Sequence, residues 1–309
     1  MSDLILHHYP NSPFSEKVRL ILGAKGLAWR SVIIPVVMPK PDVIALTGGY
    51  RKTPFMQVGA DIYCDSALIA RLLDARQPSP PLYPASAPLA VPFAQWADLH
   101  LFWTAVAWTM QPAGAAAMLG PNAATLGKQF AVDRAAMTSS MKRMTLADAT
   151  VQLKAHLAAI DAQLAAGGPF LFGNDVSIAD FSVAHCVWFI RLGGPVAAIL
   201  EPYRAIGAWL DRLLAFGHAT HEDLSSSDAI AIAASAGSHA DVEVQPGLGF
   251  EPGQAVNVYA TDYGMDPVAG TVVGLTPGEV VIRRTDERAG TVHVHFPRAG
   301  YQIKKEQVQ

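Results

Sequence analysis

A serine lies directly before a proline near the start of the chain, where LILHHYPNSPFSEKVR passes from an apolar run into a helical pattern. Ser12 followed by Pro13 is a good helix opening, because serine can cap a free backbone N–H and proline fits the first helical position. The start of a helix also gathers free N–H groups and the positive end of the helix dipole, which stabilise an anion. The sequence therefore leaves two roles open for Ser12: a plain helix cap, or a hydroxyl that donates to a bound anion.

Two further pairs carry groups that could hold an extended, amino-acid-like ligand. Thr53 and Pro54 precede an apolar strand, and a cis peptide bond there would free the Thr53 N–H and C=O for a peptide ligand. Asp65 and Ser66 begin the next helical pattern, where a carboxylate and a hydroxyl could hold an ammonium and a carboxylate. Taken alone, the second pair is also explained as an ordinary helix cap.

The predicted elements explain how these pairs could meet. Over residues 1–76 the patterns alternate as βαβ and then ββα, with a short helix expected after Pro41. Alternation of this kind predicts a small α/β domain with helices packed on a sheet. Residues 77–88 are rich in proline and are interpreted as a linker.

An all-helical domain is predicted over residues 89–222. Ser177 and Asp180 have the spacing of a capping box at the start of one of its helices. The apolar periodicity places the helices at 89–110, 123–137, 145–166, 177–192 and 201–216.

The last part of the chain has a different pattern. Residues 223–245 form a Ser/Ala-rich connecting segment that could hold one short helix. Residues 246–309 contain short β-rich runs between turn-forming residues, which predict a small all-β, barrel-like domain. His293 and His295 alternate with apolar residues there, which places them opposite the buried face. A third ligand is not evident beside them, so no metal site is predicted.

Composition argues against several classes of protein. With 309 residues the chain is long enough for two domains and a small third, and its net charge of −3 favours neither nucleic acid nor anionic lipid. No apolar run approaches the roughly 20 residues of a membrane span, and the N-terminus lacks signal-peptide features. The two cysteines, Cys64 and Cys186, lie in different contexts, so we expect a cytoplasmic protein without a disulfide framework.

Three segments together carry a resemblance to a known family. NSPFSEKVRLILGAKGL, KTPFMQV and DSALIARLL, in this order and spacing, resemble the N-terminal domain of the glutathione S-transferase superfamily. SPFSEKVR is most similar to the CPFAERVR-type motif of the omega-like classes, and SIAD resembles the capping box of the superfamily's helical domain. The resemblance covers residues 3–217 and implies a thioredoxin-like domain followed by an all-α domain. The C-terminal β domain is not part of this pattern.

The resemblance also implies a glutathione site. Ser12 falls on the position of the catalytic serine or cysteine, and Thr53 falls on the residue before the cis-proline, here Pro54, whose backbone pairs with the cysteinyl part of glutathione. Asp65 and Ser66 fall on the pair that binds the γ-glutamyl end. These positions define the expected glutathione-binding set.

Two more elements of the expected site concern charge. Lys40 matches, with a one-residue shift, a basic residue near the glycyl carboxylate of glutathione. A free thiol with a pKa of about 8.5 is only roughly 3% ionised at pH 7. Lowering that pKa by about two units takes roughly 2.7 kcal/mol and leaves most of the thiol ionised. Ser12 would contribute to this as a hydrogen-bond donor to the thiolate.

The leading hypothesis is a cytoplasmic glutathione transferase-like enzyme that activates the glutathione thiolate for attack on a small hydrophobic electrophile, as in detoxification. The resemblance implies a homodimer, and no metal, nucleic acid or membrane partner is expected. Two alternatives stay open. One is a non-catalytic transferase-fold interaction protein that docks through its C-terminal β domain. The other is a glutathione-dependent isomerase or dehalogenase.

Overall fold

A computed structural model describes residues 3–120 and 123–306, and its first elements form the predicted α/β layer. Within it β1 lies between β2 and β3, parallel to β2 and antiparallel to β3, and β3 pairs antiparallel with β4. The order β4-β3-β1-β2 confirms the thioredoxin-like arrangement. Its elements are β1 (Ile5–His8), α1 (Pro13–Lys25), β2 (Trp29–Ile33), α2 (Pro41–Thr47), β3 (Phe55–Val58), β4 (Asp61–Cys64) and α3 (Ser66–Arg76).

The helical domain follows, and its helices match the expected ranges with two differences. The first predicted helix is interrupted by a π-helical segment at Ala97–Leu101, and α6 was not predicted because its sequence PAGAAAML shows no apolar periodicity. The helices are α4 (Ala90–Trp96), α5 (Phe102–Thr109), α6 (Pro112–Leu119), α7 (Ala123–Met137), α8 (Leu146–Gly167), α9 (Ile178–Leu192) and α10 (Arg204–Leu214), with a 3-10 helix at Gly194–Leu200.

Helix α9 is the buried centre of this domain. The predicted capping box is present at its start: the Ser177 N–H donates to Asp180 Oδ2 at 2.9 Å. The other oxygen of Asp180 accepts from the Trp209 indole N–H at 2.9 Å, which ties α10 to α9. In the described part of the chain, no helix has both the length and the hydropathy needed to cross a bilayer.

The C-terminal strands form the predicted β region, named here the C-terminal module (β6–β10). They run in the order β10-β6-β7-β8-β9, an antiparallel arrangement in which the last strand pairs with the first and β9 continues into the α/β layer. Residues 307–309 of the expected domain lie outside the described residues. The remaining elements are β5 (His221–Asp223), α11 (Ser226–Ser235), β6 (Ala255–Ala260), β7 (Val268–Leu275), β8 (Glu279–Asp286), β9 (Gly290–Pro297) and β10 (Tyr301–Lys305).

The module is joined to the α/β layer through its last long strand. β9 pairs parallel with β4, in the register Asp61 to His293 and Tyr63 to His295. This pairing, named here the seam, makes one continuous ten-stranded sheet within the described residues. The sequence suggested a separate small domain, because the seam depends on a pairing that no local pattern encodes.

Two hydrophobic cores flank the continuous sheet. Alternate strand residues such as Leu6 and Met56 pack against the helical domain, while Ile5 and Phe55 point to the other face. That second core also includes α2, α11 and the strands of the C-terminal module. The module is therefore attached to the α/β layer in two ways, by the backbone pairing of β9 with β4 and by apolar side chains that belong to the same core.

Candidate functional site

Ser12 is the N-cap of α1, as one of the two predicted roles requires. Its Oγ accepts a hydrogen bond from the Ser15 N–H at 3.3 Å, Pro13 occupies the first helical position, and the side chain is almost completely buried. This capping bond uses a lone pair of the oxygen and does not consume the O–H. Donation to a bound thiolate therefore remains chemically open to Ser12 and stays a prediction.

Four of the predicted residues line one cavity between the α/β layer, the helical domain and the C-terminal module. The cavity has a volume of about 300 Å³, and Thr53, Pro54, Asp65 and Ser66 all line it. The Thr53–Pro54 peptide bond is cis, as the family resemblance implies. Ser66 is the first residue of α3, so the free N–H groups of that helix open near the same space.

The carboxylate of Asp65 is held in a fixed orientation. Asp65 has φ 78° and ψ 133°, a backbone conformation that costs a non-glycine residue about 1–3 kcal/mol. Its Oδ1 caps α3 by accepting from the Ala67 N–H at 2.9 Å, and its Oδ2 accepts from the Tyr301 hydroxyl at 3.0 Å. Strain of this kind persists where surrounding contacts enforce it, and here it aims a carboxylate at the cavity.

The C-terminal module supplies a wall of the cavity that no sequence pattern predicts. The Tyr301 hydroxyl lies 3.2 Å from that of Tyr50, and burial raises the pKa of Tyr301 well above its ordinary value, so it remains a donor. Lys52 Nζ lies 2.6 Å from Asp262 and 4.3 Å from the ring centre of Tyr263. These contacts join positions more than two hundred residues apart in the sequence, so local sequence patterns do not encode them.

A buried ion pair also borders the cavity. Lys17 Nζ lies 2.6 Å from Asp98 Oδ2, and His185 Nε2 lies 3.0 Å from Asp98 Oδ1. Burial alone would raise the pKa of Asp98, but the charge of Lys17 and the His185 hydrogen bond outweigh it and hold the pKa below its usual value. Asp98 is therefore an anion that is already neutralised, and it fixes α1 against the helical domain.

Lys40 belongs to a different group of residues. Neither Ser12 nor Lys40 is among the described residues that line the cavity. Lys40 is buried at the start of α2, where desolvation, with help from the Arg134 charge, lowers its pKa to about 8. Its ammonium lies 6.0 Å from the ring centre of Tyr9, whose hydroxyl accepts from Arg134 at 3.3 Å. The predicted set is thus divided between the cavity and positions outside its lining.

The histidines of β9 occupy the seam. Both lie opposite the apolar face of β9, as the alternation predicts, but that side is covered as well: His295 is fully buried and stacks on Tyr63 at 4.2 Å. His295 Nε2 lies 3.0 Å from Asp61 Oδ1 and its Nδ1 lies 2.6 Å from Glu279 Oε1. The side chains of Tyr63, Asp61 and Glu279 cover this second face of β9, and they are brought there by the neighbouring strands β4 and β8.

Comparisons with known proteins agree with this architecture. The family model "Glutathione S-transferase, N-terminal domain" matches residues 6–81, and "Glutathione S-transferase, C-terminal domain" matches residues 131–212. A GST-like protein from Pseudomonas syringae is 42% identical with a TM-score of 0.81, over 99% of this chain and 100% of that one. The C-terminal module therefore lies within that match.

Two more distant structures show the fold alone. A glutathione S-transferase from Rhodospirillum rubrum is 18% identical with a TM-score of 0.52, over 68% of this chain and 87% of that one. A glutathione S-transferase from Methylobacillus flagellatus, solved with glutathione bound, is 18% identical with a TM-score of 0.51, over 69% of this chain and 95% of that one. A search of curated protein sequences finds no significant match.

Proposed function

The chain belongs to the glutathione S-transferase family, and from that premise we propose that it binds glutathione and promotes attack of its thiolate on a small hydrophobic electrophile. The observation that carries this proposal is the meeting of Thr53, Pro54, Asp65 and Ser66 at one cavity beside the start of α3. The cavity volume of about 300 Å³ lies at the lower end of the range for small-molecule sites.

The donor set of the cavity fits the two ends of a γ-glutamyl group. The Asp65 carboxylate would pair with the ammonium, and its orientation by Ala67 and Tyr301 favours that role. The Ser66 hydroxyl and the free N–H groups of α3 would hold the carboxylate. The backbone of Thr53 would pair with the cysteinyl part.

Ser12 would stabilise the thiolate. Glutathione supplies the nucleophilic sulfur when it is bound. The O–H of Ser12 is not consumed by its capping bond, and the dipole of α1 adds a favourable field at the same position. A hydroxyl donor and a helix dipole favour the ionised form of the thiol over the neutral one, which raises its reactivity at neutral pH.

Lys40 would meet the glycyl carboxylate, within the group formed with Tyr9 and Arg134. With a pKa of about 8, the Lys40 ammonium would be charged at pH 7 and progressively lost above pH 8. A homodimer and a cytoplasmic location also belong to the proposal. Two buried free cysteines are compatible with a reducing compartment. Any dimer contact would have to use a surface other than the β4 edge, because β9 already pairs with that edge.

The alternative of an interaction protein that docks through the C-terminal module has less support. The module is engaged in the seam, and Tyr301 and Asp262 contribute to the wall of the cavity. Truncation at residue 238 would therefore expose the β4 edge and release Asp65, so it could not separate docking from glutathione binding. An isomerase or dehalogenase would use the same site, and only the second substrate would distinguish them.

The test compares Ser12→Ala with Ser15→Ala in the full-length chain. Ser15 lies in the same helical turn, and its buried Oγ has no hydrogen-bond partner in the described structure, so its loss is the matched control. We expect Ser12→Ala to lower thioether formation with electrophiles about 10²-fold, the cost of removing one charge-stabilising donor. Glutathione binding, measured by calorimetry, should change little in either variant.

Two results would contradict the proposal. A folded wild-type protein that does not bind glutathione at millimolar concentration would exclude glutathione as the co-substrate. Equal turnover in the two serine variants would leave Ser12 with its capping role alone.

A further inference from the structure

Three side chains from separate segments meet at the edge of the seam. Asp61 begins β4, His239 lies in the connecting segment between α11 and β6, and His293 lies on β9. Their ligand atoms all lie within 4.8 Å of one another. The Nδ1 atoms of His239 and His293 lie 3.8 Å and 4.0 Å from Asp61 Oδ1.

The two imidazole nitrogens have no hydrogen-bond partner in the described part of the structure, although both atoms are buried. Distances of 3.8 Å and 4.0 Å are too long for hydrogen bonds to the carboxylate. Buried polar atoms without partners are rare in native proteins, and each calls for an explanation such as a water or an ion. Two such atoms around one carboxylate oxygen leave a gap suited to a cation.

We propose that Asp61, His239 and His293 bind a divalent transition metal ion of the zinc type. Imidazole nitrogens with a carboxylate oxygen are a common zinc donor set, and three protein ligands leave a fourth position open to water. The side chains of His239 and His293 are 23% and 15% exposed, so solvent can reach that position. Zinc bound at about 2.0–2.1 Å separates its ligand atoms by about 3.4 Å, whereas the three ligand atoms here lie within 4.8 Å of one another. The rings of His239 and His293 are stacked at 3.8 Å, so metal binding would draw the ligand atoms together and turn both rings towards the ion.

The surroundings of Asp61 resemble the support that metal-bound carboxylates receive. Its Oδ2 accepts from the Ala240 N–H at 2.9 Å, next to one of the histidine ligands. Its Oδ1 is hydrogen-bonded to His295, which in turn bonds Glu279. Outer groups of this kind fix the orientation of a ligand before the metal arrives.

The site was not evident from the sequence, because two of its three ligands, Asp61 and His239, come from β4 and from the connecting segment. The inference replaces the expectation that the β9 histidines lack a third ligand. Bound metal would clamp β4, the connecting segment and β9 together, and it would stabilise the seam. The inference does not depend on glutathione binding, so the two can fail separately.

The test uses tag-free, full-length protein treated with a chelator and then titrated with Zn²⁺ by calorimetry. We expect one ion per chain, with affinity at least tenfold weaker in both His239→Ala and His293→Ala. His221→Ala is the matched control, because His221 is an exposed histidine at the opposite edge of the layer and should leave the affinity unchanged. At one Zn²⁺ concentration, the thermal midpoint of the wild type should also rise by more than that of His239→Ala.

Crystals soaked in Zn²⁺ should show an anomalous peak between the three side chains. The inference is overturned if the folded wild type binds no Zn²⁺ at micromolar concentration, in which case water fills the gap. It is also overturned if both histidine variants bind as tightly as the control. His239 lies outside the strands, so its substitution tests the site even if His293→Ala does not fold.

Discussion

Each edge of the thioredoxin-like layer carries a parallel strand from later in the chain, and each added strand stacks a histidine on an aromatic residue. At the β2 edge, His221 of β5 lies 4.5 Å from the Trp29 ring. At the β4 edge, His295 of β9 lies 4.2 Å from the Tyr63 ring. The local geometry is similar, but β5 is exposed along its three residues, whereas His295 is fully buried.

The difference lies in what each strand brings to the layer. A short exposed strand such as β5 covers the backbone groups of an edge and protects it from pairing with other chains. β9 instead brings a whole module, a shared core and polar groups buried against Asp61 and Glu279. The same kind of pairing therefore covers one edge and, at the other, attaches a module that forms a wall of the cavity.

The largest expected effect comes from removing the buried histidine of the seam. His295→Ala leaves the carboxylates of Asp61 and Glu279 without their shared partner, and breaking a buried pair in this way costs about 3–5 kcal/mol. Urea unfolding followed by circular dichroism should show this loss of stability. His295→Gln, which can still donate one hydrogen bond, should lose less. Equal stability of His295→Ala and wild type would mean that the seam contributes no more than the β5 edge.

A smaller effect should reach the cavity from β10 of the C-terminal module, where Tyr301 lies. Tyr301→Phe removes the hydroxyl that donates to Asp65, and a hydrogen bond of this kind contributes about 1 kcal/mol. We therefore expect glutathione affinity to fall several-fold by calorimetry, since the Asp65 carboxylate loses one of its two anchors.

Tyr259→Phe is the control for this change, because Tyr259 lies half-buried on β6 and contacts Lys304 rather than the cavity. If both phenylalanine variants bind glutathione equally well, the module only encloses the site. If Tyr301→Phe alone binds less tightly, the C-terminal module also orients a binding residue.

Local signals were enough for most of the α/β layer and of the helical domain. The Ser12 cap, the Ser177–Asp180 box and the strands of the C-terminal module depend on residues close in sequence, and the structure contains all of them. Local signals could not predict that Thr53, Pro54, Asp65 and Ser66 line the cavity whereas Ser12 and Lys40 do not. The burial of Lys40 and the reach of Tyr301 depend on packing between distant segments, which short-range periodicity does not encode.

The family resemblance also could not predict contacts that involve the appended strands. It covered the layer and the helices, where Thr53 and Asp65 meet at the cavity. The appended strands lie outside that pattern, so neither the seam nor the meeting of Asp61 with three histidines could be inferred from it. The pairing of β4 with β9 becomes evident only when both strands are placed in three dimensions, because no local sequence pattern specifies their register.

The smallest expected effect is at the exposed edge, where His221→Ala is the counterpart of His295→Ala. The lost stack on Trp29 is solvent-exposed on the histidine side and breaks no buried ion pair, so the cost should be about 0.5 kcal/mol. The same urea titration measures both alanine variants under one condition. If His221→Ala lowers the free energy of unfolding by nearly as much as His295→Ala, the stacked rings, rather than the burial of polar groups, govern the stability of each edge. A difference of several kcal/mol would instead assign the strength of the seam to its buried histidine and carboxylates, because the two stacks have nearly the same ring separation.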